Sequence, residues 1–415
     1  MNPKKEPVPS RWTLIRGARQ VLTLQGDAGP RRGPAMNNLE VISNAAILLR
    51  NDVVECVGSC SRIENLANAR NAQEIDATGK IAMPAFIESD ASILYDAAVP
   101  DEDCGLYPDI AQGIRTASKN KLACAGIANL SDYARYGVMT AGVPSLYADD
   151  LKNLVKVLGI QQGLQNRLLR LRPIASFCTL ADRPEMADEI VGTWLRVLKE
   201  RKLASIVEVH SVSAGDGLAA RASRGIALSA AAAGFALRVR SGDGMPTDLM
   251  AGGESASVIS VIGRPRTEML RATGLLRSNA VFTVGVQRPN DEAGLASVRD
   301  LLDRDAAVAI SMGAPTEVNA TRNMQHAIYK ACRDWKMTVE EAISAATFNA
   351  ACALRASHLT GSIEPGKSAD IVILDVPDYR ELARRPGISS VEYAMRAGQV
   401  VYRRQPLSID LMPGD

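Results

Sequence analysis

Ala204-Ser205-Ile206-Val207-Glu208-Val209 is a short apolar run rich in β-branched residues. The helical pattern Met186 to Arg201 precedes it. Ala236-Leu237-Arg238-Val239 repeats the strand pattern after an Ala-rich run, Ser229 to Gly234, that suits a helix packed closely on a neighbour. Helix and strand in this rhythm predict parallel strands joined by helical crossovers. The rhythm extends further along the chain. Ala280-Val281-Phe282-Thr283-Val284 and Ala307-Val308-Ala309-Ile310 read as strands, and Ser297 to Asp305 as a helix. From about 85 to 358 the alternation suits an α/β fold of eight strand-helix units, a (β/α)8 TIM barrel. A doubly wound open sheet has the same periodicity, so spacing alone leaves both open.

The two ends read differently. Thr13-Leu14-Ile15-Arg16, Arg19 to Leu24, Ala45 to Arg50 and Val53 to Gly58 are strand-like, with turns at Asn51-Asp52 and Gly79-Lys80. Gly26 to Asn38 is a polar loop rich in Gly and Pro. Asp370 to Asp375 and Gln399-Val400-Val401-Tyr402 are again strand-like. We expect head and tail to pair into one composite β-sandwich, residues 1–84 and 360–415, bracketing a barrel at 85–359. Met337-Thr338-Val339-Glu340-Glu341-Ala342 opens a helix with a capping box, Thr338 at the cap and Glu341 three residues on.

Composition narrows the function. The 415 residues carry 48 Lys and Arg against 46 Asp and Glu, a net charge of +2, which gives no argument for nucleic acid or an anionic membrane as partner. No stretch approaches the length of a spanning helix, and the first apolar run, Trp12-Thr13-Leu14-Ile15, is broken by Arg16 and Arg19. The 7 cysteines are scattered among small apolar residues and suit reduced, buried thiols of a cytoplasmic protein. Cys56 and Cys60 lack the second pair or the histidine that a zinc site requires.

Several blocks resemble the amidohydrolase superfamily, and within it the imidazolonepropionase-like proteins. They are Leu14 to Leu24 with Gly29-Pro30-Arg31-Arg32-Gly33, then Thr338 to Ala351, then Gly361-Ser362-Ile363-Glu364-Pro365-Gly366-Lys367-Ser368-Ala369-Asp370, then Leu374 to Tyr379. The resemblance is close over roughly the first 95 and last 80 residues and loose between. It implies a (β/α)8 barrel with a β-sandwich built from both termini. It also implies hydrolysis of a C–N bond in a cyclic amide by a metal-bound water.

The positions that this chemistry requires are substituted. The first-strand segment reads Met83-Pro84-Ala85-Phe86-Ile87-Glu88-Ser89-Asp90-Ala91-Ser92, with Asp90 and Ser92 where the family carries two metal-binding histidines. Arg240 falls on a third histidine, Gly313 on the last-strand aspartate, and Pro144 on a bridging lysine of binuclear relatives. A further histidine-bearing segment falls near Ser255 to Val261, which has none. Tyr147 matches a tyrosine that contacts substrate in the family, and is otherwise a rim tyrosine left by descent.

The chain has only 3 histidines, His210, His326 and His358. His210 ends a strand pattern and would face a barrel mouth, as a base or simply as a hydrogen-bonded side chain. His326 lies on a helical segment and His358 near a helix end, and neither suggests chemistry. Glu88, Asp90, Glu208 and Asp243 could form an oxygen site for a hard cation, but an arginine at 240 would repel it. We expect instead that the fixed charge of Arg240 replaces the metal's and pairs with Asp90 or Glu208. The sequence thus points to a protein without metal or other cofactor, catalytically inactive. It would bind a small molecule at the barrel mouth through Asp90, Tyr147, His210 and Arg240, or act as a homo-oligomer or as a subunit beside an active relative. The alternative is a metal-independent hydrolase of a small cyclic amide using Asp90, His210 and Arg240.

Overall fold

The computed structural model describes residues 10–94, 106–146, 148–177, 183–211, 217–241, 258–267, 279–287, 293–313 and 321–405. Strands β1 (Trp12–Leu22), β2 (Val41–Arg50), β3 (Val53–Ser59), β4 (Gln73–Asp76) and β5 (Ile81–Pro84) precede the alternating region. Within it lie β6 (Phe86–Glu88), β7 (Val138–Pro144), β8 (Arg170–Ser176), β9 (Ile206–Ser211), β10 (Ala236–Ser241), β11 (Val258–Ile262), β12 (Val281–Gly285) and β13 (Ala307–Ser311). After it come β14 (Ile371–Leu374), β15 (Val391–Arg396) and β16 (Gln399–Arg403).

Strands β6 to β13 are parallel and lie side by side in sequence order. A doubly wound sheet would reverse its strand order at a switch point. The unbroken order therefore selects the barrel, which is nearly closed. Four of its strands, β6, β7, β8 and β11, have weak signatures in the sequence. β6 is only 3 residues long. β7 contains Gly142 and Pro144, and β8 contains Arg170, Arg172 and Pro173, which break the apolar pattern.

Head and tail share one mixed sheet, ordered β16-β15-β14-β5-β1-β2-β3 with β4 beside β1. β5 joins the two ends, parallel to β1 and antiparallel to β14. Ile15, Val21 and Ile47 from the head pack with Ile371, Ile373 and Met395 from the tail in one core. The two strand patterns at 13–16 and 19–24 belong to a single strand, β1, with a bulge between Ile15 and Ala18. Gly17 sits there at φ +69°, and a Cβ would come 2.6 Å from Thr78 Oγ1, so glycine is needed on both counts.

The block from Gly361 to Asp370 is the joint between barrel and sheet. Gly361, at φ +93°, lies so close to the helix Phe348–Ala353 that a Cβ would stand 2.8 Å from Ala351 Cβ. Lys367 Nζ donates to Ser362 Oγ at 2.6 Å and Glu364 Oε1 at 2.9 Å, and Ile363 N–H donates to the Thr23 carbonyl at 2.7 Å. The capping box at Thr338 and Glu341 forms as its sequence predicts. Cysteines 56, 60, 124, 332 and 352 are free thiols, half-buried or, for Cys124, exposed, so they flank the cores rather than fill them. Cys104 and Cys178 lie outside the described residues.

Candidate functional site at the barrel mouth

The carboxyl ends of the barrel strands converge on a group of charges. Strand geometry sends residues two apart to the same face. Glu208 and His210 on β9 therefore point together, as do Arg238 and Arg240 on β10. Register sets Glu208 beside Arg238 and His210 beside Arg240. From the end of β6 come Glu88 and, two residues on, Asp90.

Arg240 pairs with Asp90 through two nearly parallel hydrogen bonds, Nη1 to Oδ2 at 3.0 Å and Nη2 to Oδ1 at 2.7 Å. Its Nε and Nη2 also donate to Glu208, at 3.2 and 3.1 Å. The expected salt bridge of Arg240 with Asp90 or Glu208 is thus made with both. Beneath it lies a second guanidinium that the pattern of substituted ligand positions did not single out. Arg238 donates through Nε to Glu208, through Nη2 to Asp90 at 2.5 Å and through Nη1 to the Ser89 carbonyl at 2.7 Å. Its side chain is 1% exposed against 20% for Arg240. Its signal in the sequence was a charge inside an apolar strand, two residues before Arg240 and so on the same face.

Burial alone would raise the carboxyl pKa values of Asp90 and Glu208. The two guanidiniums overcome it and hold both well below the usual carboxylate range, with Ser176 Oγ helping Glu208 at 2.7 Å. Glu88 behaves in the opposite way. It accepts from Ser311 Oγ at 2.6 Å, Met312 N–H at 2.8 Å and Asp90 N–H at 2.8 Å. Burial outweighs these donors and pushes its pKa up to about 7. No backbone ladder joins β6 to β13 among the described residues, so the Glu88 carboxylate spans the seam of the barrel.

The remaining sequence candidates fall as follows. Ser92 is half-buried just beyond Asp90. His210 is half-buried at the end of β9. Gly313 follows β13 at φ +91°, a conformation that an aspartate adopts only with strain, and its N–H donates to Ser311 Oγ at 3.0 Å. Tyr147 and Asp243 lie outside the described residues. His326 is on the helix Met324–Asp334, half-buried, its pKa lowered by burial and then by Lys330. His358 is exposed beyond the end of the helix Phe348–Ala353.

A divalent metal of the kind the resemblance implies needs several lone pairs aimed at one point. Here the Asp90 and Glu208 oxygens accept from guanidinium N–H groups instead. Among the described residues no group of three or more His, Cys, Asp and Glu is arranged to hold a metal ion. This donor set does not fit the cation.

Comparison with known proteins agrees with the geometry of the fold. The profile of the amidohydrolase family matches residues 252–402. The imidazolonepropionase of Solibacter usitatus (strain Ellin6076) is 28% identical over 94% of this chain and 99% of its own length. That of Geobacillus kaustophilus (strain HTA426) is 27% identical over 94% and 98%. Among solved structures, the triazine hydrolase from Arthobacter aurescens superposes with a TM-score of 0.71 at 18% identity, covering 94% of each chain. E. coli guanine deaminase gives a TM-score of 0.69 at 14% identity, over 95% of this chain and 100% of that one. These structural likenesses speak for the fold alone.

Proposed function

Since the chain is an imidazolonepropionase-like protein of the amidohydrolase superfamily, we propose that it uses the family's barrel to bind a small molecule and does not carry out metal-assisted hydrolysis. The observation that supports this reading is the pair of guanidiniums, Arg238 and Arg240, engaged with Asp90 and Glu208 where a cation would be ligated. A metal in such a site would polarise the substrate carbonyl and ready a water for attack. Arg240, the partly exposed one of the two, can donate a hydrogen bond to a carbonyl-bearing ligand, but the network offers no open coordination position.

The working unit in this reading is residues 85–359, flanked by 1–84 and 360–415. Among the described residues no helix is long and apolar enough to cross a membrane. We place the protein in the cytoplasm, with a second copy or an active relative as its protein partner, and with neither nucleic acid nor membrane.

A second reading has its own support. His210 stands in register with Arg240 at the strand end, where an imidazole base beside an arginine could serve metal-independent hydrolysis of a small cyclic amide together with Asp90. Elemental analysis and turnover separate the two. We expect well below one equivalent of zinc, iron or manganese per chain after chelation and dialysis, and no hydrolysis of an imidazolone. One equivalent of metal retained through that treatment overturns both readings. Chelator-insensitive turnover abolished by His210→Gln establishes the second. Asp90→His with Ser92→His should not restore hydrolysis, because Arg240 and Gly313 are unchanged.

A further inference from the structure

The opposite end of the barrel holds a cavity of about 610 Å³. It opens among the loops that lead into β8, β9 and β10, so it lies at the amino ends of the strands, away from the mouth. Three of the residues that line it are cationic, Arg172, Lys199 and Lys202, and none is acidic. Arg172 is half-buried on β8. Its Nε caps the Leu354 carbonyl at 3.2 Å, and its two Nη groups have no partner among the described residues. Among the described residues no carboxylate pairs with it. Burial lowers its pKa, and Arg170 and Arg355 lower it further. Lys199 Nζ donates to the Ala233 carbonyl at 2.8 Å, and Lys202 stands exposed at the rim.

Two further features bear on what this cavity could hold. The Gln165 side chain lines it, and its buried Oε1 has no hydrogen-bond partner. Buried amide groups are ordinarily satisfied, and a ligand group is one way to satisfy this one. Leu203 and Phe235, both buried, give the lining its apolar part.

We propose that this cavity binds a small organic phosphate, with the phosphoryl group held by Arg172, Lys199 and Lys202 and the organic part lying against Phe235 within reach of Gln165. A phosphomonoester carries nearly two negative charges at neutral pH and several acceptor oxygens. It answers three uncompensated cations better than a monocarboxylate does. An arginine with both Nη groups available suits a phosphate's bidentate geometry.

Isothermal titration of the full-length protein tests this, with ribose 5-phosphate, inorganic phosphate, ribose and acetate as probes. We expect ribose 5-phosphate to bind at one site per chain, more tightly than inorganic phosphate, with affinity falling as salt rises, and ribose and acetate not to bind. Lys202→Gln and Arg172→Gln should each weaken ribose 5-phosphate by roughly tenfold, the value of one charge-assisted hydrogen bond. Lys202 makes no described side-chain hydrogen bond, so its variant reads binding without loss of the fold. Absence of saturable binding, unchanged affinity in Lys202→Gln, or acetate binding as tightly as phosphate overturns the proposal.

Discussion

At the mouth of the barrel two guanidiniums face two carboxylates in a closed network, while at its base one guanidinium and two lysines face none. The same fold supports both because the two ends bury charge to different depths. Arg238 is sealed under Arg240, and an unpaired charge there would be prohibitive, so its partners must come from the protein. Arg172 borders an open cavity, where solvent or a ligand can serve. Charge at the mouth is therefore spent on the protein's own pairs, and charge at the base is left for the ligand we propose.

The largest effect should come from Arg238→Ala. It removes the fully buried partner, leaves Asp90 and Glu208 to the partly exposed Arg240 alone and the Ser89 carbonyl without its donor, and we expect a loss on the order of 4 kcal/mol, read by urea unfolding. A loss under about 1 kcal/mol would mean that the network is no more than a surface ion pair.

Next comes pH. Glu88 titrates near 7 when folded against an ordinary 4.5, so the folded protein holds its proton more tightly. Its contribution is complete below the unfolded value and is lost as pH rises through 7, a change on the order of 3 kcal/mol. Asp90 and Glu208 act in the opposite sense. Their contribution is present above their ordinary values and is lost on acidification through their lowered ones. Unfolding measured across about pH 4 to 8 should show a fall towards high pH that Glu88→Gln removes. An identical profile in that variant would contradict the assignment.

Arg240→Ala should cost less, about 2 kcal/mol, because Arg238 still pairs with both carboxylates and Arg240 is partly exposed. Asp90→Asn in the same chain should recover part of the loss. A double-mutant cycle with no coupling between the two positions would refute the idea that arginine charge has replaced metal charge. The smallest effect on stability belongs to the base. Arg172→Gln should cost about 1 kcal/mol, the worth of its bond to the Leu354 carbonyl. A loss as large as that of Arg238→Ala would erase the contrast between the two ends.

Half of the barrel strands were legible because their signals are local, while closure into a barrel rested on the resemblance. Apolar runs such as Ile206 to Val209 and the cap at Thr338 need no distant partner to be recognised. The Gly361 to Asp370 block was legible for a related reason. It is the joint between sheet and barrel, and steric demands at Gly361 and the Lys367 hydrogen bonds fix its residues whatever the mouth does. The site was only half legible. Asp90 and Arg240 could be found as substitutions in a known pattern. The roles of Arg238, Ser176 and Ser311 could not, because they depend on side chains that meet across the barrel, Arg238 with Asp90 148 positions away and Ser311 with Glu88 223 positions away, and for Arg238 only the charge inside an apolar strand hinted at it. The cationic base was missed because Arg172 lies on β8 while Lys199 and Lys202 close the helical segment that follows it, and only the fold brings the two places to one cavity.

The Glu88 bridge has one more consequence, for the breathing of the barrel. In most barrels the first and last strands are sewn by backbone hydrogen bonds, which no change of pH undoes. Here one carboxylate ties the amides of Asp90 and Met312 across the seam. Those two amide hydrogens should exchange with solvent at rates that follow the charge on a single side chain, while amides in the ladders of β7 to β12 keep their own slower clock. The ring would then have a designated place to open, and acid or alkali would set how often it does.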